Sequence, residues 1–124
     1  MHYLSIIGNK TEADLVKWAN ERVGDKSPSI KDFKDKENLT NGHFLIHLCS
    51  TIEERYVNWD LLTPGETDED KCLNAKYGIT LARKLEAVIF CVWEDMVNVN
   101  AKQNLIVYSS LCDIAEVYGK KKAE

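Results

Sequence analysis

A chain of 124 residues has room for one domain with a single hydrophobic core. Its 44% hydrophobic and 29% charged residues are the ordinary balance of a globular protein, so the core needs no metal or disulfide to hold it together. The formal net charge of −4 argues against a nucleic-acid-binding protein, and the longest apolar run, residues 87–93, is far too short to span a membrane.

The first predicted helix begins at Thr11, whose hydroxyl can accept a hydrogen bond from the amide of Asp14. It runs to about Val23, because apolar residues recur at helical spacing up to that point. They are Leu15, Trp18, Ala19 and Val23. Residues 1–10 precede this helix and contain apolar side chains without evident partners, so we expect them to belong to the end of a preceding segment. These side chains are Tyr3, Leu4, Ile6 and Ile7.

Two more helices are predicted in the middle of the chain. An Asn-Gly pair at 41–42 opens one, and its inward residues are Phe44, Leu45, Leu48, Cys49 and Ile52. A Pro-Gly pair at 64–65 marks a turn. Thr67 then caps a long helix that ends near Leu85, with a core stripe of Cys72, Ala75, Ile79, Ala82 and Leu85.

The last third of the chain predicts one buried segment and a final helix. Residues 87–92 are β-branched and apolar but have no partner strand in the sequence, so we expect a buried extended segment between helices. Residues 94–97 predict a single helical turn. Asn100 caps the last helix, with Gln103 three residues later as in a capping box, and Gly119 ends it.

Four cysteines lie far apart among apolar neighbours, at positions 49, 72, 91 and 112. A small secreted domain would show clustered cysteines in loops, and no C-x-x-C pair occurs. No signal-peptide pattern occurs at the N-terminus. We therefore predict reduced, mostly buried thiols in a cytosolic protein rather than two disulfides.

The residues with catalytic or metal-binding potential have simpler structural explanations. His43 and His47 could share a helix face, but zinc needs further ligands and Cys49 points elsewhere. The acidic residues at 68–70 and 94–95 stand at helix starts, where carboxylates are expected for capping and dipole reasons. No phosphate-binding loop, dinucleotide fingerprint or nucleophile elbow occurs. We predict no catalytic residue, no metal and no cofactor, and hence no enzyme.

One stretch is far more specific than these features. Residues 74–111 read NAKYGITLARKLEAVIFCVWEDMVNVNAKQNLIVYSSL, which closely resembles a calponin-homology domain. The upstream segments WANERV (18–23), SIKDFKDKENLTNG (29–42) and VNWDLLTPGETDEDKCLNAKY (57–77) agree with it. Together they are most similar to the last of the four calponin-homology domains of the fimbrin/plastin family.

The resemblance implies an all-α fold of four main helices plus short helices, with a buried central helix at about 68–85. It implies that residues 1–10 are the remnant of an inter-domain linker, 11–118 are the domain and 119–124 are a solvated tail. Gly78 then lies where neighbouring elements approach the central helix closely. Glu86 stands where the family usually ends that helix with glycine, so the helix is expected to run on or to end without a left-handed cap.

The function implied by the resemblance is that of an F-actin-binding and bundling module in the cytoplasmic actin cytoskeleton. It would be the second domain of a tandem pair, partnered by the preceding calponin-homology domain, and a weak actin binder and monomer when alone. No nucleic acid and no membrane are expected as partners. By position in the first helix, the actin-contact candidates are Lys10, Lys17, Asn20, Glu21 and Arg22. The alternative is a regulatory protein-protein or microtubule-binding domain of the same fold.

Overall fold

A computed structural model describes residues 10–123, with side chains through Gly119. Within this range the chain forms six α-helices, two 3-10 helices and no β-strand, which confirms the all-α prediction. The α-helices are α1 (Glu12–Val23), α2 (Lys36–Leu39), α3 (His43–Ile52), α4 (Asp68–Lys84), α5 (Trp93–Val97) and α6 (Ala101–Ala123). The 3-10 helices, Glu54–Tyr56 and Trp59–Leu61, connect α3 to α4. The expectation for residues 1–9 lies outside the described part of the chain.

The predicted helix starts are present. The amide of Asp14 donates to the Thr11 hydroxyl at 3.1 Å, and the Asp14 carboxylate accepts the Thr11 N–H at 3.0 Å. These two bonds form a capping box at α1. The amide of Asp70 donates to the Thr67 hydroxyl at 3.0 Å, which caps α4 in the predicted way. Local sequence alone therefore fixes where two of the main helices begin.

A single core joins the four longer helices. Helix α1 packs against α3 and α6, while α4 packs against α3 and α5. Tyr108 of α6 lies at the centre of this core and contacts two other rings, with centroid distances of 4.9 Å to Phe33 and 6.2 Å to Phe44. Since all three rings are fully buried, they connect α6, α3 and the loop before α2 through one aromatic cluster.

Helix α4 holds the centre of the fold with one face buried and the other exposed. Ala75, Ile79 and Ala82 of the predicted stripe are buried, as is Gly78. A Cβ atom on Gly78 would lie 3.0 Å from the Leu45 Cδ2 of α3. This close approach gives the packing reason that we expected for a glycine inside a helix.

Asn74 is a fully buried polar side chain of α4 that ties three segments together. Its Nδ2 donates to the carbonyls of Asn41 at 2.8 Å and Thr63 at 3.2 Å, and its Oδ1 accepts the Thr63 N–H at 2.9 Å. Gly42 packs against it with φ +82, and a Cβ there would come within 2.6 Å of the Asn74 Cβ. The junction before α3 therefore depends on an amide in α4 and on the absence of a side chain at 42.

The end of α4 differs from the prediction, which was wrong about the cap. Glu86 itself adopts a left-handed conformation, with φ +70. Its N–H donates to Arg83 O at 2.9 Å and the Ala87 N–H donates to Ala82 O at 2.9 Å. This is the Schellman pattern that usually uses glycine, so the hydrogen bonds of the motif impose the conformation on a glutamate.

The predicted end of the last helix was also wrong. Helix α6 passes through Gly119 and continues to Ala123. A glycine inside a helix costs only about 1 kcal/mol. Neither proline nor a helix-breaking turn follows it, and the lysines at 120–122 suit a helix C-terminus. Gly119 therefore weakens the last turns of α6 without ending them.

Two smaller expectations in the last third need correction. The extended segment at 87–92 is only half-buried, because side chains alternate across it: Cys91 is buried, while Val88, Phe90 and Val92 are exposed. Asn100 does cap α6, accepting the Gln103 N–H at 3.2 Å. The second half of the capping box is missing, since the Asn100 N–H donates to Asp95 O in the middle of α5.

Candidate interaction surface

The predicted site lies on the outer face of α1, and the structure divides its five residues into two groups. Lys17 and Glu21 lie four residues apart, both exposed, and neither forms a hydrogen bond or ion pair with residues 10–119. The other three, Lys10, Asn20 and Arg22, all bind other parts of the chain. Of the five candidates, Lys17 and Glu21 therefore offer one cation and one anion to a partner.

The Asn20 side chain is committed to the loop that follows α1. Its Oδ1 accepts the Ile30 N–H at 2.9 Å, and its Nδ2 donates to the Ile30 carbonyl at 2.8 Å. These paired bonds satisfy both the N–H and the C=O of Ile30, a residue that is buried in the core. Asn20 thus holds the loop onto α1, a role that helical spacing alone did not reveal.

Arg22 and Lys10 join α1 to other helices. The Arg22 guanidinium donates to the Thr51 hydroxyl at 3.0 Å and to the Thr51 carbonyl at 2.8 Å, at the end of α3. The Lys10 ammonium binds the Glu116 carboxylate of α6 at 2.9 Å, and this hydrogen bond raises the Lys10 pKa. Both cations remain partly accessible, but a partner would compete with these internal bonds.

A second exposed surface lies on the outer face of α4, and sequence reasoning missed it. Leu73 is 47% exposed on α4, and Leu61 beside it is 53% exposed. A groove of about 400 Å³ runs between them. A second groove, of about 270 Å³, lies between Arg83 and Trp93. An exposed leucine opposite the core stripe of an amphipathic helix was the signal that could have found this surface.

This α4 surface carries two cations, Lys76 and Arg83, and one carboxylate, Asp60, which lines the larger groove. The Lys76 ammonium lies 5.7 Å from the centre of the Trp93 ring, a cation–π contact, and separates the two grooves. Arg83 lies two helical turns further on the same face. Neither cation has a carboxylate within ion-pair distance among residues 10–119. Exposed apolar groups beside unpaired cations are typical of a surface that contacts another macromolecule.

The two histidines of α3 do not converge on a common point. The His43 Nε2 lies 2.7 Å from the Thr63 carbonyl, so this ring is part of the loop contact. The His47 ring packs on Trp59 at 5.0 Å, and burial lowers its pKa. Among residues 10–119 no cluster of three histidine, cysteine, aspartate or glutamate side chains could hold a metal ion.

The remaining candidates have structural positions. The Asp95 carboxylate accepts the Val92 N–H at 3.1 Å at the start of α5, as expected of a capping acid. All four thiols are free, three of them are buried, and burial raises the pKa of Cys49 to about 12. In the described range, no helix has the length and apolar character needed to cross a membrane.

Comparison with known proteins agrees with this architecture. Residues 9–117 match the model of the calponin homology (CH) domain family. Fimbrin-5 of Arabidopsis thaliana is 48% identical over 103 residues, and human plastin-3 is 34% identical over 108 residues. These matches cover 82% and 84% of this chain but only 15% and 17% of the relatives.

The structural comparison leads to the same family. The actin-crosslinking core of Schizosaccharomyces pombe fimbrin superposes with a TM-score of 0.79 and 32% identity. The match covers 90% of this chain and 24% of the fimbrin chain, so this chain corresponds to a small part of such proteins. The chain belongs to the calponin homology domain family, and the relatives that it matches include fimbrins and plastins.

Proposed function

We propose that this domain is the last calponin homology domain of a fimbrin-like or plastin-like actin crosslinker, acting in the cytoplasmic actin cytoskeleton. The main support is the match of 90% of the chain to a solved actin-crosslinking core. In this proposal residues 11–118 form the second domain of a tandem pair, residues 1–10 connect it to the preceding domain, and residues 119–124 are a tail. The role is structural, with no catalytic step.

The proposed filament contact is the outer face of α1. Lys17 and Glu21 are available for direct contacts, and Lys10 and Arg22 lie at the edges with part of their bonding capacity in use. Asn20 offers a partner only the hydrogen-bonding capacity of its side chain that the two bonds to Ile30 leave unused. A specific protein interface buries about 800 Å² per partner, usually around an apolar or aromatic centre, and this polar face supplies no such centre. The domain alone therefore binds filaments weakly and supports its tandem partner.

The test is cosedimentation with F-actin at physiological salt, for the isolated domain and for the domain joined to a preceding calponin homology domain. We expect little or no pelleting of the isolated monomeric domain and clear pelleting of the pair. Tight pelleting of the isolated domain would contradict the supporting role. Pelleting with microtubules but not with actin would overturn the proposal in favour of a microtubule-binding domain.

Charge-reversal variants of the tandem pair locate the contact. Lys17→Glu combined with Glu21→Lys keeps the net charge and should weaken filament binding severalfold, because it inverts the α1 pattern. Lys36→Glu combined with Glu37→Lys, an exposed pair on α2, also keeps the net charge, so it is the matched control and should have no such effect. If reversal of Lys76 and Arg83 weakens binding while the α1 reversal does not, the contact lies on α4 and the α1 assignment is wrong.

A further inference from the structure

Two adjacent grooves lie on the outer face of α4, on either side of Lys76. The larger has a volume of about 400 Å³ and runs beside Leu61 and Leu73, and the smaller, of about 270 Å³, extends to Arg83. Arg83 follows Leu73 by ten residues on α4, which corresponds to about 15 Å at a rise of about 1.5 Å per residue. This α4 surface is therefore as long as about three turns of a second helix.

Apolar side chains form walls of both grooves. Leu61 is 53% exposed and Leu73 is 47% exposed at the larger groove, and Val92 is 58% exposed at the smaller one. An apolar side chain that is half in water gains free energy when a partner covers it. An apolar cavity of about 150 Å³ accommodates benzene, so the larger groove has room for an aliphatic side chain of a partner.

The hydroxyl groups of this surface already have partners within the chain, whereas its cations do not. The Tyr77 hydroxyl accepts a backbone N–H at 2.7 Å, and the Thr80 hydroxyl donates to the Lys76 carbonyl at 3.0 Å. The Lys76 ammonium lies over the Trp93 ring at 5.7 Å, an attraction that leaves its N–H groups able to bind an acceptor. The Arg83 guanidinium forms no ion pair with residues 10–119. The donors left for a partner are therefore positively charged.

The charges around the grooves favour a partner that carries carboxylates. The described residues that line the smaller groove include Lys76 and Arg83 and no carboxylate. Asp60 lines the larger groove but does not lie within ion-pair distance of Lys76. An anionic lipid surface fits less well, because it is flat where α4 is grooved and because Asp60 would repel its headgroups. A segment of protein fits better, since it can place apolar and acidic side chains separately.

The spacing of the two cations indicates a helical segment. Lys76 and Arg83 are seven residues apart, which is about 10.5 Å along α4 and nearly two turns, so they lie on the same face. Two carboxylates seven residues apart on another helix have the same separation and also share a face. A helix that packs along α4 can therefore contact both cations at once.

We propose that the α4 surface binds an acidic amphipathic helix of a partner protein. Carboxylates seven residues apart on that helix pair with Lys76 and Arg83, and a leucine or isoleucine of the same face enters the larger groove beside Leu73. This site goes beyond the filament contact proposed on α1, because the two contacts use different helices. The domain thus carries a docking site for a second partner in addition to the filament.

Two synthetic helical peptides of about 18 residues test this site in the full chain. Both carry the same leucines on one face. The first has two glutamates seven residues apart on that face, and the second has lysines at these two positions. We expect the glutamate peptide to bind at least about tenfold more tightly in fluorescence polarisation, because the lysine peptide places like charges together. Its binding should shift the amide resonances of residues 73–83 and 91–93 in the isotope-labelled chain.

Charge-reversal variants of the chain test which residues bind the peptide. Lys76→Glu combined with Arg83→Glu should invert the preference, so that the lysine peptide binds more tightly than the glutamate peptide. Lys34→Glu combined with Lys102→Glu changes the net charge equally at exposed positions elsewhere, and this control should keep the original preference. Leu73→Ser should weaken binding of the glutamate peptide severalfold, since it removes an apolar wall of the larger groove.

Three outcomes would contradict the proposed site. Equal binding of the two peptides to the parent chain would show that the surface does not recognise carboxylates. Amide shifts on α1 or α6 instead of α4 would place the peptide on another surface. Loss of filament binding by the tandem pair that carries the Lys76 and Arg83 reversal would make the filament itself the occupant of the α4 surface.

Discussion

Replacing Glu86 with glycine should stabilise the domain. Glu86 has φ +70 at the end of α4, where the Schellman hydrogen bonds from its own N–H and from that of Ala87 hold it in the left-handed region. This conformation costs an L-residue about 1–2 kcal/mol because Cβ approaches the following carbonyl oxygen. The Glu86 side chain is exposed, so its loss sacrifices little packing.

The expected gain in the free energy of unfolding is smaller than this backbone cost, because the substitution also affects the unfolded state. Glycine has more conformational freedom to lose on folding, which takes back roughly 0.5–1 kcal/mol. We therefore expect Glu86→Gly to raise the free energy of unfolding by about 0.5–1 kcal/mol. With an unfolding entropy of about 2.1 cal/mol/K per residue, a 124-residue domain should gain about 2–4 °C in Tm.

Urea unfolding followed by circular dichroism measures the free energy, and calorimetry measures Tm. Glu86→Ala removes the charge but keeps Cβ, so it should change stability far less than Glu86→Gly. Lys17→Gly places the same residue in the exposed interior of α1 at negative φ and should cost about 1 kcal/mol. If Glu86→Gly is no more stable than Glu86→Ala, the conformational reasoning is refuted.

Three further changes test the core and its polar contacts. Gly78→Leu should lower the free energy of unfolding by about 1–3 kcal/mol or more, because even a Cβ would lie 3.0 Å from Leu45 Cδ2. Unchanged thermal stability of this variant would rule out close packing at Gly78. Asn74→Leu should lower the free energy of unfolding measured in urea by about 2–4 kcal/mol, since it leaves buried peptide groups without partners. A near-neutral result would mean that water replaces the Asn74 amide. Burial lowers the folded-state pKa of His47, so the unfolded chain takes up a proton first as pH falls below the ordinary histidine value, and stability declines there. His47→Gln should therefore lose less free energy of unfolding between pH 7.5 and 5.5 than the parent chain, and equal losses would contradict this assignment.

The helix starts were predictable because their chemistry is local. A threonine three residues before an acid forms a cap from four consecutive residues, as at Thr11 and Thr67. The order and packing of the helices came from the family resemblance, since periodicity identifies a buried face but not the element that covers it. Gly78 illustrates both kinds of information. The free-energy cost of a glycine inside a helix indicates close packing, and the structure identifies Leu45 as the residue that packs against it.

The helix ends were less predictable because backbone hydrogen bonds at Glu86 and packing at Val99 override the conformational preference of the individual residue. Val99 follows α5 with φ +57, which is unusual for a β-branched residue, yet its side chain is buried. Burial of about three carbon atoms offsets the backbone cost there. At Glu86 the side chain is exposed, so no comparable gain exists. Neither glutamate nor valine favours a left-handed conformation, so the sequence predicts this conformation at neither position. It also does not show that burial compensates the backbone cost at Val99 but not at Glu86.

The candidate site was harder to predict than the fold for a related reason. A helical projection shows which polar residues of α1 point outward, but it contains no information about the loop after α1 or the end of α3. Asn20 and Arg22 point outward and are nevertheless used by Ile30 and Thr51. A polar residue on an outer face is available to a partner only after its internal bonds are known. This explains why so few of the polar side chains on the outer face of α1 are free to contact a partner.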